Sequence, residues 1–222
     1  MSPHRITKKE MKQDRFVTYS LQVSQWIQKH LNEVLMAAGG VVLVTAVLFF
    51  IFSSQAKRER KAAELLGKAN FALQSGDMGG AVQDLQTVVN KYGSTRSAGQ
   101  AAFYLAYAYF YAKDYVQAQS LFEKYVQKYK DDPLLSASAQ AGIGDCHMQT
   151  GNPVMAAENF LKAASLSPQT FLTPQYLRRA ASAYMQADEK DRAREILHRL
   201  IAEYPDSREA HRAKVDLAQI AG

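Results

Sequence analysis

Cys146 and His147 stand side by side, a thiol next to an imidazole, the residue types that together make a nucleophile and its base. Neighbours on a helix point about 100° apart, so the pair cannot share a proton along one hydrogen bond. His147 is instead expected to fill a packing position. The other histidines, His4, His30, His198 and His211, are scattered. No two of the five have the i, i+4 spacing with which a helix offers two imidazoles to one metal. Gly142-Ile143-Gly144 lacks the preceding strand that would make it a phosphate-binding loop. Cys146 is the single cysteine, so no internal disulfide forms. The expectation is a protein that is not an enzyme, with no catalytic residue, no metal and no cofactor.

The elements that hold these residues repeat. Small residues at Ala81, Ala118, Ala156 and Ala193 are spaced 37, 38 and 37 apart. Four residues after each comes Leu85, Phe122, Phe160 or Leu197, and three further on Val88, Tyr125, Ala163 or Leu200. Twelve residues before each stands Ala69, Ala106, Gly144 or Ala181, a second small position where two helices would cross closely. Between the two small positions lie Gly76-Asp77, Lys113-Asp114, Gly151-Asn152 and Asp188-Glu189, residue types that turn a chain. The pattern predicts four helix pairs. One pair cannot bury both its apolar faces, whereas stacked pairs share a continuous core. Ser207 to Ile220, with Ala210, Ala213, Leu217 and Ile220 on one side, reads as a last helix closing the open end.

These positions resemble the tetratricopeptide repeat, a helix-turn-helix unit usually of 34 residues with a closing Pro. The resemblance covers residues 62 to 205. Here the period is longer, repeat one has Ala72 at an aromatic position and Gly93 in place of Pro, and repeat two has Pro133 three residues late. The resemblance implies that the first helix of each pair lines a concave, ligand-binding side. Its contact positions fall on Phe103, Tyr107, Phe110 and Tyr111; on Leu66, Asn70 and Leu73; on Asp145, Met148 and Gln149; and on Arg178, Met185 and Gln186. The run from Phe103 to Tyr111 has a second reading, as packing against neighbouring helices. The family's clamp for a terminal carboxylate needs paired Lys and Asn, and Asn70 stands alone.

Val34 to Phe52 runs 19 residues without a charge, enough helix to span about 30 Å of hydrocarbon. A cleaved signal peptide is the competing reading, with Ser54 and Ala56 as its small-x-small pair. The 33 preceding residues and the long apolar run argue against it. Phe16, Tyr19, Val23, Trp26, Ile27 and Leu31 fall on one side of a helix suited to a membrane interface, or belong to a basic tail that only looks periodic. The first 15 residues are expected to be mobile. The net charge of +6 sits around the span: Ala69 to Gly222 holds 16 basic and 16 acidic residues. That distribution suits an anionic lipid surface and argues against nucleic acid. Lys57, Arg58, Arg60 and Lys61 favour a cytoplasmic C-terminal side, while the whole N-terminal tail nearly balances them.

The sequence is therefore read as all-α: a tail over 1–33, a transmembrane helix over 34–56, and over 57–222 an α-solenoid of about four helix pairs plus a capping helix. Tail, span and repeats together resemble the bacterial ancillary SecYEG translocon subunit family. That resemblance implies a single-pass inner-membrane protein with a periplasmic solenoid, a scaffold or chaperone-like subunit meeting translocon subunits, chaperones or unfolded client chains. A cytoplasmic assembly adaptor, and a structural component of envelope or division machinery in which the repeats form a homo-oligomer, are the alternatives.

Overall fold

Turn residues with left-handed backbone punctuate the chain at four places, and each closes one helix pair. In the computed structural model, which describes residues 8–130, 132–168 and 170–221, the chain divides into two units, Met1–Ala56 and Lys57–Gly222. Among the described residues there is no strand.

The first unit holds α1 (Lys8–Lys29) and the beginning of α2 (Leu31–Ser75). Residues 1–7 of the tail expected to be mobile lie outside the described residues. From Lys8 onward the backbone is helical. The apolar stretch of α2 is long and apolar enough to cross a membrane, and none of it is buried against protein; Phe49 is 75% exposed. Its hydroxyls turn back on the helix, Thr45 Oγ1 donating to the Val42 carbonyl at 2.9 Å and Ser53 Oγ to the Phe50 carbonyl at 3.0 Å. Each hydroxyl is thereby satisfied without leaving its own helix.

The second unit is an α-solenoid. The end of α2 pairs with α3 (Met78–Lys91), α4 (Arg96–Tyr111) with α5 (Tyr115–Lys128), α6 (Pro133–Gln149) with α7 (Pro153–Leu166), and α8 (Thr173–Gln186) with α9 (Lys190–Glu203). The last helix, α10 (Arg208–Ala221), packs on α9 and α8. The turns repeat in geometry as well as sequence. Gly76, Lys113, Gly151 and Asp188 all have positive φ, between 60° and 84°. The next amide, of Asp77, Asp114, Asn152 or Glu189, donates each time at 2.9 Å to a carbonyl five residues back. That bond is the Schellman closure that ends a helix on a left-handed residue.

Two apolar clusters make the spine. The first gathers Ala62, Leu66 and Ala69 with Leu85, Phe103, Phe122 and Cys146; the second gathers Phe160, Leu177, Leu197 and Leu200. Helix α6 belongs to both, with Ala139 and Ile143 in one and Ala137 and Ala141 in the other. Its small residues let helices approach it from two sides.

Polar ties lock successive pairs. Tyr129, ending α5, donates its hydroxyl to the Gly93 carbonyl after α3 at 2.8 Å, and Tyr204, ending α9, does the same to Pro168 after α7 at 2.6 Å. Glu59 accepts from the Arg96 and Ser97 amides at 2.7 and 3.2 Å, so a carboxylate from the first pair caps the N-terminus of the second.

Candidate protein-binding groove

The side chains that α4, α6 and α8 leave open converge on one another. Asp145 of α6 and Arg179 of α8 form an ion pair, and the Arg179 guanidinium lies 4.1 Å from the centroid of the Phe160 ring. Ser138 Oγ and Tyr176 Oη, again from α6 and α8, are 3.2 Å apart. Tyr107 of α4 feels the charges of both Tyr176 and Arg179, although a whole helix pair separates them in sequence. Burial pushes its phenol up to about 12, with nearby Tyr176 adding to the shift. Burial raises the Tyr176 phenol too, and lowers the Arg179 guanidinium. These groups keep their ordinary charge at neutral pH.

Helical spacing explains the convergence. Gln100, Tyr104, Tyr107 and Tyr111 follow one another by four, three and four residues, hence along one stripe of α4. The corresponding stripe is Ser138, Gly142, Asp145 and Gln149 on α6, and Gln175, Arg179, Ser182 and Gln186 on α8. Tyr107 and Tyr111 stack with ring centroids 6.2 Å apart and 29° between planes. Tyr111 is 73% exposed and Tyr104 38%.

The residues that the repeat resemblance nominated divide into two sets. Leu66 and Phe103 are core, 6% and 8% exposed, which corrects their expected place on the groove wall. Each lies three residues before the small crossing position, Ala69 or Ala106, so it faces the packed side of its helix. Arg178 stands three before Ala181. There it reaches the capping helix, with Nε 3.1 Å from Asp216 and Nη1 3.7 Å from Glu209. Phe110, Met148 and Met185 are half-buried and pack against the core clusters, and Asn70 and Leu73 are half-buried. Tyr107 and Asp145 are half-buried members of the convergent set, and Tyr111, Gln149 and Gln186 are exposed beside them.

The groove also contains Tyr104 and Arg179, which the resemblance did not nominate, while Tyr176, 4% exposed, belongs to the second core cluster with its hydroxyl beside Ser138. Tyr104, Gly142 and Arg179 recur at spacings of 38 and 37, so the repeat period itself carried the signal. Away from the groove, Cys146 is fully buried, and burial pushes its thiol up to about 11. His147 is half-buried and lines a shallow depression with Glu123, Gln140, Asn159 and Lys162.

A family model for the tetratricopeptide repeat matches residues 176–207, across α8 and α9. The chain has the tetratricopeptide-type solenoid fold. A second family model, YfiO, described as an outer membrane lipoprotein, matches residues 58–136. Among solved structures, the MamA protein is similar with a TM-score of 0.56 and 17% identity, over 72% of this chain and 86% of that one. The nearly identical TPR-like repeats of a Podosopora anserina kinesin light chain are similar with a TM-score of 0.58 and 18% identity, over 73% of this chain and 86% of that one. At these identities the likeness is one of fold. No curated protein sequence matches.

Proposed function

We propose that this protein is a membrane-anchored, non-enzymatic scaffold or chaperone-like subunit. The apolar stretch of α2 is its anchor, and the solenoid captures other proteins near the bilayer. The observation that carries the reading is the convergence of Tyr107, Tyr111, Asp145 and Arg179 from three first helices onto one partly open surface. Repeat solenoids offer such surfaces to peptides and protein segments. The span and the neutral solenoid suit a single-pass membrane subunit, and the resemblance of tail, span and repeats to the ancillary translocon subunit family, against the basic flank Lys57, Arg58, Arg60 and Lys61, favours periplasmic repeats at the inner membrane that assist translocation or folding by meeting translocon subunits, chaperones or unfolded chains.

The match of residues 58–136 to the outer membrane lipoprotein model favours a second reading, an assembly component of the envelope in which the repeats join protein to protein. Crosslinking of the full chain in its membrane, with identification of the neighbours, separates the two. Translocon subunits or nascent chains support the first reading, and envelope assembly proteins alone support the second. A reporter after Gly222 active only in the cytoplasm would remove both.

A further inference from the structure

We propose that the edge of the solenoid where its first helices begin rests on an anionic bilayer, with a lipid phosphodiester held between Arg96 and Lys128 and with Phe171 set into the headgroup layer. This rests on the reading of α2 as a membrane anchor, goes beyond it, and leaves the groove free for protein.

The repeat period defines the edge. Lys57, Ser94, Asp132 and Asp206 hold one position in the repeat, so they lie along one side of the stack. Lys57 stands within α2, which runs unbroken from Leu31, so the chain passes from its apolar stretch into this edge. The neighbouring Arg58 donates to the Lys91 carbonyl at the end of α3 at 2.9 Å, which fastens the point of entry. A short tether raises the effective concentration of a surface at the end to which it is joined.

Charge and shape indicate the occupant. Between the α3–α4 and α5–α6 connections opens a cavity of about 330 Å³, lined in part by Gly93, Ser94, Arg96, Lys128, Tyr129 and Asp132. Lys128 reaches across it, for a Cβ built on Gly93 would lie 3.6 Å from Lys128 Nζ. Among the described residues neither Arg96 nor Lys128 is in an ion pair. The Asp132 carboxylate shares the cavity, but its Oδ1 is taken up by the Leu134 and Leu135 amides at 2.9 and 3.1 Å. Glu59 is likewise engaged by the Arg96 and Ser97 amides. Two exposed cations therefore face a polar cavity with room for a phosphodiester. The turn edge has the opposite sign, with Asp77, Asp114, Asp188 and Glu189 against Lys113 and Lys190. An anionic surface is attracted at one edge and repelled at the other.

An apolar feature stands on the attracting edge. Leu134 and Phe171 hold the repeat position of Arg96, at spacings of 38 and 37, and are 38% and 77% exposed. The turn that carries Phe171 is firmly tied. Its Ser167 carbonyl accepts from the Thr170 amide at 3.1 Å and from the Thr170 and Thr173 hydroxyls, and Ser167 and Thr173 are buried. A ring held out in water on such a turn gains by entering an interface, and cations on the same edge are what an anionic headgroup layer requires. An acidic protein would match the cations too, but the tether favours lipid.

The test uses the full chain in nanodiscs of phosphatidylcholine, alone or with about 30% phosphatidylglycerol, whose acyl chains carry bromine near the headgroup as a quencher. Trp26→Phe removes the native indole and Phe171→Trp supplies one at the edge. Val116→Trp, at an exposed site beside the turn edge, is the control. The expected result is quenching of at least about twofold at residue 171 in phosphatidylglycerol discs, and of less than about 1.2-fold at residue 116. Arg96→Ala with Lys128→Ala should return residue 171 to its level in phosphatidylcholine discs while helix content is unchanged, and about 500 mM salt should act in the same direction. Quenching at residue 171 that is equal in the two discs, equal to that at residue 116, or indifferent to the Arg96→Ala, Lys128→Ala pair overturns the proposal. So does its absence from discs that hold the chain, the outcome expected if a protein covers this edge instead, and the anchor reading survives that result. A chain that fails to enter the discs overturns the anchor reading and this proposal with it.

Discussion

Gly144 lies under the ring of Phe160 so closely that a Cβ built on the glycine would sit 2.6 Å from Phe160 Cε1. Two residues earlier, a Cβ on Gly142 would sit 2.6 Å from Phe122 Cζ. The glycines therefore set how near α6 comes to the helices on either side.

Gly144→Ala should destabilise the solenoid by about 1 to 3 kcal/mol, the usual consequence of forcing a methyl group into a filled core. Repeats one and four pair Ala69 with Leu85 and Ala181 with Leu197 at the same places, so Phe160→Leu should restore much of the loss. Thermal unfolding of the two single variants and the double variant checks this. Additive losses would show that the two residues do not share one space.

Tyr129→Phe removes one hydroxyl and leaves the ring in place. The Gly93 carbonyl then loses its donor, and stability should fall by about 0.5 to 1.5 kcal/mol. Tyr204→Phe removes the equivalent bond to Pro168 at a more exposed site and should fall at the lower end of that range. Denaturant unfolding with unchanged slope is the measurement.

Glu59→Ala strips the cap from the start of α4. Three donors, the amides of Arg96 and Ser97 and the Ser97 hydroxyl, lose their acceptor, and a loss of about 1 kcal/mol is expected. Hydrogen exchange should quicken at the first turn of α4 before it quickens elsewhere in that helix. Uniform quickening would mean the cap is not local.

The Cys146 thiol makes stability depend on alkaline pH. Its pKa is ordinarily near 9 and is pushed up to about 11 in the folded chain, so the unfolded chain loses this proton first. Stability due to this group is intact below about pH 9 and is lost as pH rises towards 11, on the order of 2 to 3 kcal/mol in total. Cys146→Ala should therefore unfold with a flatter pH dependence over that window. A thiol reagent at neutral pH should label Cys146 only as fast as the solenoid opens.

Much of the fold was legible because repetition multiplies a weak signal. The four turn dipeptides each contain the left-handed residue and the capped one that follows, and all four small crossing positions are buried or tightly packed. The groove was less legible. Leu66, Phe103 and Arg178 share one position in the repeat, yet the first two are core and the third is tied to the cap, because α10 brings Asp216 and Glu209 to it. A repeat alignment treats them alike; what covers each one depends on the neighbouring helix. Glu59 gave no local sign of capping α4, since its partners are 37 and 38 residues away.

Sequence alone determined the helix pairs, their period, the small residues at the crossings and the apolar stretch ahead of them. Those features are local: they follow from which side chains recur at three, four and thirty-seven residues along one chain. Tertiary structure alone decided which tyrosines stay open, that Arg179 answers Asp145, and that Cys146 is sealed from water. Helical periodicity says which residues share a face, but only the packing of the next helix decides whether that face meets protein or solvent.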